Sequence, residues 1–118
     1  MNAYSVPEIS VQELAAKLTA GEKFTIIDVR EAWEVETASI KDERVVVVPM
    51  SQISVEGEQA FPEATRDHTA EYVVMCHHGV RSANVTAWMR QNGWQNAVSL
   101  AGGIAEYAEE IDPSVGIY

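Results

Sequence analysis

Apolar residues follow two periods along this chain of 118 residues. Short runs rich in β-branched residues predict buried strands over 24–29, 45–48, 72–75 and 97–100. The run 45–48 is four valines, which predicts a strand buried on both faces. Apolar positions three and four residues apart predict helices over 11–20, 82–92 and 104–110, and a shorter helix over 31–38. The alternation indicates an α/β fold with a parallel sheet, and the mixed, polar residues 50–70 predict loops with one or two helical turns.

Capping and turn residues mark the ends of the predicted helices. Ser10 is followed three residues later by Glu13, which is the pattern of a capping box. Gly21 and Gly93 stand where the first two long helices are expected to end, and Ala101-Gly102-Gly103 predicts a tight turn before the last one. No repeat or linker interrupts the pattern, so residues 1–118 are interpreted as a single domain.

Composition excludes several classes of partner. The chain has 18 acidic and 8 basic residues, a formal net charge of −10, and the basic residues form no cluster. This argues against nucleic acid and anionic membranes. No run of about 18 apolar residues is present, so no transmembrane helix is expected. The first residues lack the basic and apolar segments of a signal peptide, which favours a cytoplasmic location.

The only cysteine, Cys76, stands where an apolar run ends and a helical pattern begins. His77, His78, Gly79 and Arg81 follow within five residues. Loop N–H groups, a helix N-terminus and a guanidinium could together hold this sulfur as a thiolate. Ligands of parallel sheets bind beyond the carboxyl ends of the strands, and Cys76 is expected at such an end. The segment therefore predicts that Cys76 acts as a nucleophile in covalent chemistry on sulfur. A single cysteine also excludes an internal disulfide and a Cys-x-x-Cys pair.

The loop residues have other possible roles at this level. Cys76 could be an inert buried thiol. A metal site is disfavoured, because three consecutive residues rarely converge on one ion and no second ligand cluster is present. His77 and His78 could raise the local positive potential and line the pocket, or they could face solvent.

The charged residues near the expected site have structural alternatives as well. Arg81 could contact an anionic substrate or form an ion pair with Asp28 or Glu31. Arg30 could line the pocket, although pairing with Glu31 is favoured. Asp28, at a strand end, is interpreted as a hydrogen-bond acceptor that fixes nearby loop backbone.

Three segments resemble the rhodanese family of sulfurtransferases. Residues 76–82 resemble the active-site loop of that family, residues 27–31 its acidic–basic motif at the end of the second strand, and residues 99–104 its last strand, glycine turn and helix. The segments occur in the family's order and span most of the chain. One departure is Ala38-Ser39-Ile40, where the family often has Gly-His-Ile after its acidic helix.

The resemblance implies a central parallel sheet of about five strands with helices on both faces. It implies a ping-pong reaction in which Cys76 takes the outer sulfur of thiosulfate or a similar small anionic donor, becomes a persulfide, and passes the sulfur to cyanide or an external thiol. No cofactor and no metal are implied. The site residues are then Cys76 as nucleophile, His77, His78, Gly79, Val80 and Arg81 in the loop, and Ser82, Asp28, Arg30 and Glu31 in support.

Two other functions are compatible with the same fold. Residues 112–118 resemble tails on rhodanese domains fused to ubiquitin-activating-like enzymes, which suggests a sulfur-carrier module that relays persulfide from a partner desulfurase. A small phosphatase or arsenate reductase is disfavoured by loop length. Four residues separate Cys76 from Arg81, whereas phosphatase-type loops of this fold hold one residue more, as the family is understood.

Overall fold

Five parallel strands form one sheet in the computed structural model, which describes residues 5–118. They are β1 (Glu8–Ile9), β2 (Thr25–Asp28), β3 (Val45–Val47), β4 (Glu71–Met75) and β5 (Asn96–Leu100). Their order across the sheet is β1-β5-β4-β2-β3, and each neighbouring pair is parallel. The predicted α/β fold with a central parallel sheet of about five strands is confirmed.

Five α-helices pack around the sheet within the same residues. They are α1 (Val11–Thr19), α2 (Ala32–Thr37), α3 (Met50–Glu56), α4 (Val80–Gln91) and α5 (Gly103–Glu110), with 3-10 turns at Gly57–Ala60, Glu63–Thr65 and Pro113–Val115. The capping box before α1 forms as predicted: the Glu13 N–H donates to Ser10 Oγ at 3.0 Å, and the Ser10 N–H donates to Glu13 Oε1 at 3.1 Å. Helix α4 begins at Val80, earlier than the predicted residue 82. None of these helices is both long and apolar enough to cross a membrane.

Two strands differ from the prediction. Residues 45–48 were predicted to be buried on both faces, but β3 lies at the edge of the sheet, and Val47 is 41% exposed. Four consecutive valines do not distinguish an edge strand from a central one, because that depends on which segment pairs beyond it. Strand β1 was not predicted, since two residues have no measurable period and the strand exists only through its pairing with β5.

Alternate residues of the central strands fill two apolar clusters, one on each face of the sheet. Ile26 and Val73 belong to the cluster that includes α1 and α5. Ile27 and Val74 belong to the cluster that includes α3 and α4. Helices therefore cover both faces, as expected. The carboxyl ends of β2, β4 and β5 lie at the same edge of the sheet, and Cys76 follows the central strand β4 directly.

The start of α5 is fixed against the loop after β4. The Ile104 N–H donates to the Cys76 carbonyl at 2.9 Å, and the Ala105 N–H donates to the His77 carbonyl at 3.0 Å. Gly103 has a φ of +61°, and a Cβ there would press on the His77 carbonyl oxygen and lie 2.6 Å from that of Cys76. Glycine at 103 therefore permits the close approach that holds the loop in place.

We expect Gly103→Ala to be more destabilising than Gly21→Ala. Both glycines have positive φ, but no heavy atom lies within 4 Å of a Cβ built on Gly21. The conformational cost, about 1 kcal/mol, is common to both variants. Overpacking against two carbonyl groups adds about 1–3 kcal/mol at position 103 only. Urea denaturation measures the difference, and equal free energies of unfolding for the two variants would contradict the close packing of α5 on the loop.

Candidate active site

The Cys76 side chain is 1% exposed, and its sulfur faces backbone N–H groups of the loop that follows it. Its Sγ accepts the N–H of Gly79 at 3.1 Å and the N–H of Ser82 at 3.3 Å. Gly79 has a φ of +102°, the left-handed conformation that turns the chain back toward the sulfur. A Cβ on Gly79 would also lie 3.2 Å from the Gly102 nitrogen, so the turn is tightly packed.

The N-terminus of α4 contributes to the same arrangement. Gly79 is the residue that precedes this helix of 12 residues, and Ser82 lies in its first turn. The N–H groups of the first turn have no partner inside a helix and carry a partial positive charge. Donors of this kind favour negative charge on an acceptor sulfur, and a sulfur in such an environment can act as a nucleophile.

Two buried hydroxyl groups continue inward from the sulfur. Ser82 Oγ lies 3.5 Å from Cys76 Sγ, and Ser99 Oγ lies 2.9 Å from Ser82 Oγ. Both serines are fully buried. Ser82 was predicted from the sequence to support the cysteine, whereas Ser99 was not. The available signal was a polar residue within the otherwise apolar run 97–100.

Arg81 pairs with a residue that the sequence analysis did not identify. Its Nη1 donates to Glu34 Oε2 and its Nη2 to Glu34 Oε1, both at 2.8 Å. The predicted partners Asp28 and Glu31 are therefore wrong. They are engaged elsewhere, because Asp28 binds Arg30, and Glu31 Oε1 accepts the hydroxyl of the α3 residue Ser51 at 2.6 Å.

The Arg81–Glu34 pair changes the acid–base properties of both groups. The hydrogen bonds from Arg81, with a smaller contribution from the Glu31 N–H, lower the pKa of Glu34 from 4.5 to about 2. Hydrogen bonding to Glu34 also raises the pKa of Arg81. Both side chains are thus charged at neutral pH, and the charges offset each other next to the loop.

Arg30 forms its ion pair with Asp28, not with Glu31 as predicted. Arg30 Nε and Nη2 donate to the two oxygens of Asp28 at 3.0 and 2.8 Å, and both side chains are fully buried. Asp28 Oδ1 also accepts the backbone N–H of Arg30 at 3.1 Å, which is the backbone-fixing role expected for Asp28. Because Asp28 is two residues before Arg30, its carboxylate can accept two hydrogen bonds from the guanidinium. The Glu31 side chain instead points toward α3.

Tyr118 joins the two ion pairs, a contact that no sequence pattern predicted. Arg30 Nη1 donates to the Tyr118 hydroxyl at 3.1 Å, and that hydroxyl donates to Glu34 Oε1 at 3.0 Å. The Tyr118 ring stacks on the imidazole of His77, with 3.8 Å between centroids and 6° between planes. The C-terminal segment therefore forms one wall of the site.

The two histidines lie on the outer side of the loop, toward α5 and the C-terminal segment. His77 packs between Tyr118 and His78, and with them lines a cavity of about 290 Å³ that also contacts Ile104 and Ile117. Burial lowers the pKa of His77, and the neighbouring His78 lowers it further. His77 thus tends toward its neutral form, which does not support the predicted role of raising the positive potential.

The remaining loop residue, Val80, is 72% exposed at the start of α4. No group of three His, Cys, Asp or Glu side chains capable of holding a metal ion occurs within residues 5–118. The site therefore consists of a buried sulfur, the backbone N–H groups that donate to it, two hydroxyl groups and two ion pairs whose charges balance. Such an arrangement suits nucleophilic attack by the sulfur on a small anion.

Comparison with known proteins assigns the chain to a family. Residues 10–110 match the rhodanese-like domain. The chain therefore belongs to the rhodanese-like family, whose members include proteins named as sulfurtransferases and as a sulfur carrier. The predicted resemblance is confirmed.

Individual relatives support this assignment. The chain is 33% identical over 108 residues to the putative sulfurtransferase YtwF of Bacillus subtilis, covering 92% of this chain and 96% of the relative. It is 36% identical over 111 residues to the probable adenylyltransferase/sulfurtransferase MoeZ of Mycobacterium tuberculosis, covering 93% of this chain but only 26% of that relative. A crystal structure of a rhodanese-related protein from Thermoplasma volcanium superposes with a TM-score of 0.71 at 31% identity, covering 89% of this chain and 93% of that one.

We expect Glu34→Gln to lower stability in a pH-dependent way. The pKa of Glu34 is lower in the folded protein than its usual 4.5, so the stabilisation is complete above about pH 4.5 and is lost as pH falls toward about 2. The shift corresponds to at most about 3 kcal/mol at neutral pH. Urea denaturation at pH 7 and at pH values below 4.5 should show a wild-type advantage that shrinks with acid. Glu36→Gln, an exposed position on the same helix, is the control, and a pH-independent difference for Glu34→Gln would contradict the ion-pair interpretation.

Proposed function

We propose that this protein is a thiosulfate sulfurtransferase with Cys76 as its nucleophile. The observation that carries the proposal is the pair of N–H groups, from Gly79 and Ser82, that donate to Cys76 Sγ. Donors in this position stabilise the thiolate before the reaction and the persulfide after it. The site needs no second cysteine if both the donor and the acceptor are external.

The proposed reaction has two displacement steps. The Cys76 thiolate attacks the outer sulfur of thiosulfate, a new S–S bond forms, and the S–S bond of thiosulfate breaks as sulfite leaves with the electron pair. Cys76 is then a persulfide. Cyanide or an external thiolate attacks the terminal sulfur, giving thiocyanate or a new persulfide, and Cys76 leaves as the thiolate.

The paired charges in the site support a small donor. The carboxylate of Glu34 neutralises the guanidinium of Arg81, and Asp28 neutralises Arg30 in the same way. The attraction for an anion therefore comes mainly from the N–H groups that face the sulfur and from the dipole of each ion pair. The recessed position of Cys76 limits access to a small or extended group. A terminal sulfane sulfur satisfies both conditions.

A direct test is the mass of the intact protein after incubation with thiosulfate. We expect wild type to gain one sulfur atom and to release it as thiocyanate when cyanide is added. Cys76→Ser is the matched control, because it removes the only sulfur nucleophile of this type with a minimal change in volume. If wild type gains no sulfur and forms no thiocyanate, thiosulfate is not its donor. Cys76-dependent hydrolysis of an aryl phosphate would instead support the phosphatase alternative.

A second candidate function is a sulfur relay within a larger system. The relative MoeZ is named as an adenylyltransferase joined to a sulfurtransferase, and the C-terminal segment of this chain contacts the loop through Tyr118. In this case Cys76 receives its sulfur from a desulfurase and passes it to a partner protein. Persulfide loading from a purified cysteine desulfurase, together with poor turnover of thiosulfate, would favour the relay. Efficient thiosulfate–cyanide turnover without such loading would exclude it.

We expect Arg81→Ala to slow the reaction of Cys76 with thiosulfate by about tenfold, the effect of losing about 1.4 kcal/mol of favourable interaction. The substitution removes the cation at the start of α4 and leaves the Glu34 carboxylate without a cationic partner beside the loop. It should also raise the pH at which iodoacetamide alkylates Cys76. Arg66→Ala is the control, since Arg66 precedes β4 at the opposite end of the strand. An unchanged alkylation profile in Arg81→Ala would show that Arg81 does not help to hold the thiolate.

A further inference from the structure

We propose that Ser99 is a positioning residue that orients the Ser82 hydroxyl toward the Cys76 sulfur. This inference rests on the proposed function in one respect, because Cys76 must be ionised to act as the nucleophile. Ser99 Oγ, Ser82 Oγ and Cys76 Sγ form a row, with 2.9 Å between the hydroxyl oxygens and 3.5 Å from Ser82 Oγ to the sulfur. All three side chains are buried.

The row of Ser99 Oγ, Ser82 Oγ and Cys76 Sγ can satisfy two hydrogen-bond donors but not three. When Cys76 is ionised, the Ser99 hydroxyl donates to Ser82 Oγ and the Ser82 hydroxyl donates to the sulfur, so both hydrogens are used. When Cys76 is a thiol, the row has three hydrogens. Only two hydrogen bonds join its three heavy atoms, so one hydrogen has no acceptor within the row. The Cys76 thiol then donates to Ser82 Oγ and the Ser82 hydroxyl donates to Ser99 Oγ, so the hydrogen of the Ser99 hydroxyl is the one left over. Because a buried donor without a partner is unfavourable, the row favours the ionised form.

Ser99 is held rigidly by its strand. It lies on β5, which pairs with β1 on one side and with β4 on the other, and its backbone N–H donates to the Pro7 carbonyl at 2.9 Å. Within residues 5–118 the contact recorded for its hydroxyl is the one to Ser82. Ser99 therefore reaches the sulfur only through Ser82, and its effect should depend on the Ser82 hydroxyl.

Other charged and titratable groups surround this end of the sheet. Arg81 and Glu34 face it from α4 and α2, Asp28 and Arg30 from the end of β2, His77 and His78 from the loop, Tyr118 from the C-terminal segment, and Glu106 and Glu109 from α5. The test below leaves all of these groups unchanged. A comparison of hydroxyl variants thus isolates the row.

The test is a pH titration of the Cys76 thiolate, followed by its ultraviolet absorbance, with Cys76→Ser as the blank. Four proteins are compared with wild type: Ser99→Ala, Ser82→Ala, the double variant, and Thr86→Val. Thr86 is the matched control, because its hydroxyl is equally buried on α4 but donates to the Ser82 carbonyl and not toward the sulfur. Circular dichroism confirms that each variant is folded.

We expect Ser99→Ala to raise the midpoint of the titration by about one pH unit, which corresponds to about 1.4 kcal/mol. Ser82→Ala should raise it at least as far, the double variant should match Ser82→Ala, and Thr86→Val should match wild type. The proposal is overturned if Ser99→Ala leaves the midpoint unchanged, if it shifts the midpoint equally with and without the Ser82 hydroxyl, or if Thr86→Val causes the same shift. The proposed function fails separately: wild type would then take no sulfur from thiosulfate, whatever the titrations show.

Discussion

The site depends on the contact between the Cys76 sulfur and the N–H groups of a very short loop. Cys76 follows the central strand β4, and α4 begins four residues later at Val80. A connection this short must bring the N-terminus of the helix back over the end of the strand. The left-handed conformation at Gly79 makes that turn possible, and the start of α5 prevents the loop from opening outward. The same geometry thus positions the proposed nucleophile and the two N–H groups that donate to its sulfur.

The ion pairs around the loop act through geometry more than through net charge. The chain has a net charge of −10, yet each guanidinium at the site is matched by one carboxylate. Removing charged groups from water is costly, so buried pairs such as Asp28–Arg30 contribute little net stability. Their value lies in fixed directions: Asp28 holds the backbone after β2, Glu34 holds Arg81 at the start of α4, and Tyr118 connects the two pairs.

The C-terminal segment is part of the site and not an appendage to it. Tyr118 contacts the polar network through its hydroxyl and His77 through its ring, while Gly116 packs closely against the carbonyl of Thr37. The segment therefore covers the outer side of the loop and shapes the cavity beside the histidines. The stacking of Tyr118 on His77 contributes to the burial that lowers the pKa of this imidazole.

The resemblance of three segments indicated the family, and the residue pattern predicted the class of fold, the parallel sheet and the cysteine loop. These features arise from local periods, from glycines at turns and from residues close in sequence, all of which are visible along the chain. Asp28 could be interpreted for the same reason, since its contact is to a residue two positions away.

The partners of these residues, in contrast, depend on how distant segments pack together. Glu34 is 47 positions from Arg81, Ser99 is 17 from Ser82, and Tyr118 is 84 from Glu34, and each contact depends on how a helix or segment is seated on the sheet. The edge position of β3 and the existence of β1 likewise depend on which strand lies alongside. A pattern along the chain records which face a residue occupies, but a contact between distant segments exists only once the sheet has brought them to the same edge.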